Sequence, residues 1–267
     1  VESLADKRFK TEHFTQALMN PLALEPLQWA ALAGCALLIG LSKTALPGAG
    51  ILAVPLAAMV MPARESIGMV LPMLIFADLF AVAWYRRHAQ WSHLLRLLPW
   101  TVTGLGVGFA LLAMLDNQRF APVIGGIVLV MILLRSRLPG AKQTADPVPH
   151  HPAFAPCMGI AAGATTMLAN AAGPVMTLYL LAMQMPKHQF IGTSAWFFFA
   201  VNWIKVPFYA QQQLITAASL QTNLLLLPAV AAGAVLGILL LKRIPQKLFN
   251  TIALLLAAAS AVKLLLG

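Results

Sequence analysis

Apolar runs follow one another along almost the whole chain, at about residues 27–43, 51–61, 66–85, 94–115, 120–135, 153–169, 175–186, 189–210, 220–241 and 247–266. A helix of about 20 apolar residues crosses a bilayer, because the hydrocarbon core is about 30 Å thick and each residue rises about 1.5 Å. Backbone groups in lipid must satisfy one another, so such a chain is expected to fold as packed membrane helices. Its residues are 60% hydrophobic and 10% charged, with a mean hydropathy of +0.81, which excludes an ordinary soluble domain and a disordered one. A length of 267 residues leaves room for roughly eight to ten helical segments and no separate soluble domain.

Two runs, 51–61 and 175–186, are too short to cross on their own. Eleven or twelve residues extend only about 17 Å as a helix. Each follows a break, Pro47-Gly48-Ala49-Gly50 before the first and Asn170-Ala171-Ala172-Gly173-Pro174 before the second. These are expected to be half-helices or tightly fitted spans. Residues 136–152, with Pro139, Gly140, Pro147 and Pro149, form the long polar linker. The expected organisation is therefore a tail at 1–26, a first repeat at 27–135, the linker at 136–152 and a second repeat at 153–267.

Internal similarity supports the word repeat. An offset of 124 residues places Met59, Met61 and Pro62 on Met183, Met185 and Pro186, Ile67-Gly68 on Ile191-Gly192, and Tyr85 on Tyr209. Further on, an offset of 129 places Pro99, Gly104, Gly108 and Phe120 on Pro228, Gly233, Gly237 and Phe249. Leu matches are cheap in such a sequence, whereas matched Met-x-Met-Pro and Gly/Pro positions are not.

Eighteen Lys and Arg against eight Asp and Glu give a net charge of +10. In a membrane chain this excess belongs in cytoplasmic loops and does not call for nucleic acid. Arg86, Arg87 and Arg96 lie between the third and fourth runs, whereas the equivalent stretch of the second repeat, from Gln211 to Ser219, is uncharged. The positive-inside rule therefore orients the two repeats oppositely, with an odd number of crossings in each. Five crossings, or three plus a re-entrant pair, satisfy this, and both place the chain ends outside. Lys187, Lys242, Arg243 and Lys247 fall inside on the same assignment.

Inverted repeats with interrupted helices are the architecture of secondary transporters, whose substrates bind at the interruptions. Both breaks here stand N-terminal to their short runs, so unpaired backbone N–H groups and positive dipole ends would face inward and suit a small anion. Gly48, Gly50 and Gly173 would let the backbone approach it closely. Lys43 and Thr44, with Ser42 beside them, precede the first break, and Thr165, Thr166 and Asn170 precede the second. Thr193, Ser194, Asn202 and Lys205 add a polar stripe to an apolar helix, and the 124-residue offset sets Asp78 against Asn202. Asp78 must be protonated, paired or wet inside lipid, which makes it either a proton-relay candidate or one half of an interhelical pair. These residues are the candidate anion site, and Lys43→Ala is expected to weaken binding with folding retained.

Other features read as structural. Gly104, Gly106 and Gly108 are expected to permit close helix packing, and Trp84, Tyr85, Trp91 and Trp100 to form an interfacial belt. Cys35 and Cys157 read as buried free thiols, and His88 and His93 as surface residues. There is no GxSxG and no HExxH, so neither an enzyme nor a cofactor or metal is expected.

The segment Gly40-Leu41-Ser42-Lys43-Thr44-Ala45-Leu46-Pro47-Gly48-Ala49-Gly50, followed by Ala53-Val54-Pro55, resembles the TauE/SafE sulfite exporter family, also called the TSUP transporters. Gly173-Pro174, Ile191-Gly192-Thr193-Ser194 and Asn202-x-x-Lys205 resemble its second-repeat pattern. Ala49 and Ala172 stand where many members carry Gly, so the cradle's shape differs from theirs. The resemblance implies a multi-pass protein of a bacterial inner membrane that exports sulfite, an organosulfonate or another small sulfur-containing anion. A passive anion channel and, further off, an intramembrane enzyme are the alternatives. Its partners would be that anion and the lipid bilayer, with a homo-oligomer left open.

Overall fold

A computed structural model describes residues 24–47, 49–61, 63–114 and 153–266, and all of their regular structure is helical. The expected span at 120–135, the linker, most of the tail and Gly48 lie outside the described residues. The helices are α1 (Pro26–Thr44), α2 (Ala53–Ala58), α3 (Ala63–Tyr85), α4 (Trp91–Met114), α5 (Phe154–Ala169), α6 (Ala172–Ala182), α7 (Lys187–Gln211), α8 (Ala217–Arg243) and α9 (Gln246–Leu266). Short 3-10 turns at Ala49–Leu52 and Arg86–His88 precede α2 and follow α3. Four described helices have the length and apolarity to cross a membrane: Pro26–Thr44, Glu65–His88, Trp91–Leu111 and Ala217–Arg243.

Local chemistry sets the boundaries. Pro26 opens α1, where its missing N–H costs nothing, and the Glu25 N–H donates to Gln28 Oε1 at 3.0 Å. Thr216 and Ser219 cap α8 reciprocally, each backbone N–H meeting the other's hydroxyl at 3.0 and 3.1 Å. Asn170 ends α5 in the left-handed region at φ 53°, one of few residue types that enter it readily, and α6 starts two residues later.

The two short helices fold back on the helices that precede them. Cys35 Sγ donates to the Ala53 carbonyl at 3.3 Å, and a β-carbon on Gly50 would come within 2.7 Å of Ser42 Oγ, so the chain after the first break runs back along α1. In the second half Phe154, at the start of α5, stacks on Tyr179, near the end of α6, with ring centroids 5.7 Å apart. Each break is thus the tip of a helical hairpin.

The helices α3 and α7 are antiparallel. A β-carbon on Gly68 would collide with Leu214, Asn202 meets Asp78 at the middle, and a β-carbon on Gly192 would approach the Tyr85 carbonyl. Helix α1 packs parallel to α8, and α4 parallel to α5, both at glycine-mediated distance. A β-carbon on Gly40 would lie 2.1 Å from the Val230 carbonyl oxygen, and one on Gly163 2.1 Å from that of Thr101. Gly233 and Gly104 press on Leu37 and Ile160 in the same way. Such contacts let backbones approach until dispersion and weak Cα–H contacts hold the pair where lipid removes the hydrophobic drive. Gly106 faces open space, so only its two neighbours serve the packing expected of all three.

Large apolar side chains on the outside, among them Leu95, Leu224, Leu225, Leu236 and Leu255, give the bundle a lipid-facing surface. Trp84, Trp91 and Trp100 are exposed as a belt requires, but Tyr85 is buried. Its hydroxyl donates to the Thr44 carbonyl at 3.3 Å, as that of Tyr209 donates to Met167 at 3.0 Å, so each tyrosine ties a hairpin tip to its neighbour. Cys35 is buried, whereas Cys157 is exposed on the outer side of α5. His93 is half-buried, and its Nδ1 pairs with the Tyr179 hydroxyl at 2.9 Å.

Basic residues converge on one end of the bundle. Lys187 Nζ donates to the carbonyls of Leu241 and Ile244, and Lys242 stands over the Trp84 ring, which brings Arg86, Arg87, Lys187, Lys242 and Arg243 together. At the opposite end the turn after α7, Gln211-Gln212-Gln213, carries no charge.

Candidate functional site

The hairpin tips meet beside the crossing of α3 and α7 and leave a cavity of ≈ 40 Å³ between them. That is room for roughly three or four water-sized groups. Its lining draws on both tips, with Ser42, Lys43, Pro47 and Gly50 from the first and Thr166, Asn170, Gly173 and Thr177 from the second. Ile191, Ser194, Phe198 and Asn202 of α7, with Leu74 of α3, complete it. The α7 residues recur every three or four positions, the spacing of one helix face.

Lys43 is the charged group on this wall. Its Nζ lies 2.9 Å from Asp78 Oδ1 and 3.9 Å from the centre of the Phe198 ring. Asp78 is fully buried on α3, and its second oxygen accepts from Asn202 Nδ2 at 2.7 Å. The carboxylate is therefore paired through both oxygens, while the ammonium reaches the cavity with an aromatic face behind it.

Lys205 is also fully buried, behind the lining. Its ammonium donates to the Thr166 carbonyl at 3.3 Å, to the Thr166 hydroxyl at 3.2 Å and to Asn170 Oδ1. Asn170 in turn donates from Nδ2 to the Ile67 carbonyl at 3.2 Å. One lysine thus fixes the second tip while the other faces the space in front of it. With both lysines protonated and Asp78 ionised, the three groups sum to one positive charge.

Of the residues expected from sequence, Lys43, Gly50, Asn170, Gly173, Ser194 and Asn202 border the cavity, and Asp78 and Lys205 stand directly behind it. Gly48 lies outside the described residues. Two others lie away from the cavity lining. The Thr44 hydroxyl lies 3.0 Å from the carbonyls of Gly40 and Ala234, so it fastens α1 to α8. Thr193 turns the other way and accepts from the Gln90 N–H at 2.9 Å, because one step along a helix rotates a side chain by about 100°. Sequence reading overlooked Leu74, Thr177 and Phe198. The 3-4-4 spacing of 191, 194, 198 and 202 could have selected Phe198 from its aromatic run, whereas nothing local marks Thr177.

These features define a multi-pass helical membrane protein with paired hairpin tips beside a small cavity bordered by Lys43 and several polar side chains. The chain matches the family Sulfite exporter TauE/SafE over residues 32–264 and belongs to it. It is accordingly a membrane transporter. No curated protein and no solved structure matches the chain.

Proposed function

We propose that this chain is a secondary transporter that exports a small anion, sulfite or an organosulfonate, across a bacterial inner membrane. The observation that carries the reading is the position of Lys43, whose ammonium borders a cavity closed by both hairpin tips. Asn170, Ser194 and Asn202 supply polar groups, and Gly50 and Gly173 keep the backbone close to the ligand. Around Gly173 the first N–H groups of α6 have no acceptor within their own helix, which favours negative charge. With both lysines protonated and Asp78 ionised the site suits a monoanion, and the cavity's small volume favours a compact ion such as sulfite.

The inverted arrangement of the repeats belongs to this reading. Two helices related by the 124-residue offset run antiparallel, and the packing of α1 on α8 has its counterpart in that of α5 on α4. Inversion gives the cavity two alternative routes to water, one past each hairpin, as alternating access requires. The basic end is then cytoplasmic. Asp78 carries the coupling proton: an anion that takes Lys43 from it leaves a buried carboxylate whose cheapest response is to bind H⁺.

The test is efflux from proteoliposomes loaded with sulfite. Saturable export that responds to an imposed proton gradient is expected. Flux that rises linearly with sulfite and ignores the gradient would identify a channel, and no flux above protein-free vesicles would remove sulfite as substrate.

A further inference from the structure

Thr177 stands out among the buried threonines. Thr44, Thr101, Thr165 and Thr222 each place their hydroxyl against a carbonyl three or four residues earlier in their own helix. Thr166 accepts from Lys205, and Thr193 from the Gln90 N–H. Thr177 is 1% exposed, and its hydroxyl has no partner among the described residues. It sits one turn after Gly173 on the same face of α6, and both line the cavity.

A buried hydroxyl without a partner is costly, and threonine in a membrane helix ordinarily avoids that cost by bonding its own backbone. Here the hydroxyl makes no bond to that acceptor, and Thr177 lines the cavity that Lys43 also borders. A compact group that carries negative charge and an acceptor oxygen fits this space, because Lys43 and the Thr177 hydroxyl both offer it a donor. We infer that Thr177 is a ligand-binding residue, whose hydroxyl donates a hydrogen bond to an oxygen of the transported anion. The inference rests on the anion-site reading above and adds a residue that discriminates oxyanions by hydrogen bonding as well as by charge.

Thr177→Val keeps the branched shape and removes only the hydroxyl, whereas Thr177→Ser keeps the hydroxyl. The experiment is thermal unfolding of the detergent-solubilised full chain titrated with sodium sulfite, against sodium chloride at matched ionic strength. The expected result for T177V is an unfolding temperature without sulfite equal to or above wild type, and an apparent sulfite affinity lower by about tenfold or more. T177S should bind nearly as wild type does. Wild-type affinity in T177V overturns the assignment and leaves the anion site standing. A T177V protein that unfolds more easily without sulfite, or does not fold, also overturns it, because the hydroxyl then has a structural partner. A wild-type protein that sulfite does not stabilise overturns the anion-site reading and the assignment together.

Discussion

Asn202 donates a hydrogen bond of 2.7 Å to Asp78, and the two residues stand 124 positions apart, the offset that relates the two halves of the sequence. Equivalent positions touch each other only near a twofold axis, so the crossing of α3 and α7 marks where such an axis would lie. The functional charges break that equivalence: the counterpart of Lys43 is Met167, and that of Lys205 is Ala81. The site therefore takes Lys43 from the first tip, while Lys205 braces the second.

Asp78→Asn should be more damaging than a lost carboxylate suggests, because it leaves Lys43 unpaired beside a fully buried position. Breaking a buried pair from one side costs about 3–5 kcal/mol. The same logic revises the expectation that Lys43→Ala folds normally, since Asp78 would then be stranded. Thermal unfolding of both of these variants, and of K43M and D78L singly, should show marked loss, and K43M/D78L should regain stability without regaining transport. Strict additivity in that double-mutant cycle would mean that the two groups are not coupled.

Asn170 holds a left-handed backbone and is gripped through its side chain by Lys205 and Ile67. Asn170→Ala loses both and strains the turn by about 1–2 kcal/mol, whereas Asn170→Gly loses the bonds without the strain. The alanine variant should unfold at a lower temperature than the glycine variant, with anion stabilisation weakened in both.

The three glycines of α4 should separate cleanly. Gly104→Ala places a methyl 2.2 Å from the Ile160 carbonyl oxygen, whereas Gly106→Ala meets nothing within 4 Å. G104A is expected to lower the yield of monodisperse protein and its unfolding temperature. G106A should be neutral or stabilising, by up to about 1 kcal/mol.

The proposed topology predicts opposite labelling at the two ends of α3 and α7. A cysteine in place of the exposed Arg87 should react with an impermeant maleimide only from the cytoplasmic side, and one in place of Gln211 only from the outside. Labelling of both from one side in oriented vesicles would contradict the inversion.

Much of this protein was legible in its residues because lipid leaves a chain few options. Apolar runs placed the helices to within about four residues wherever the chain is described, from Pro26–Thr44 through Gln246–Leu266. Gly/Pro breaks marked both hairpin tips, and ionisable residues in apolar surroundings pointed to Lys43, Asp78 and Lys205. What tertiary structure decided was direction and partnership. That the first short helix folds back along its predecessor depends on contacts such as Cys35 with Ala53, which spacing cannot supply. Which lysine faces the cavity depends on Asp78 and Thr166 arriving from other helices. Thr44, Thr193 and Thr177 are alike as letters, and only the groups packed around them set one against a neighbouring helix, one against a loop and one toward the cavity. Transfer into lipid acts on each segment separately and is written along the chain, whereas pairing of buried polar groups acts between segments and exists only once they have met.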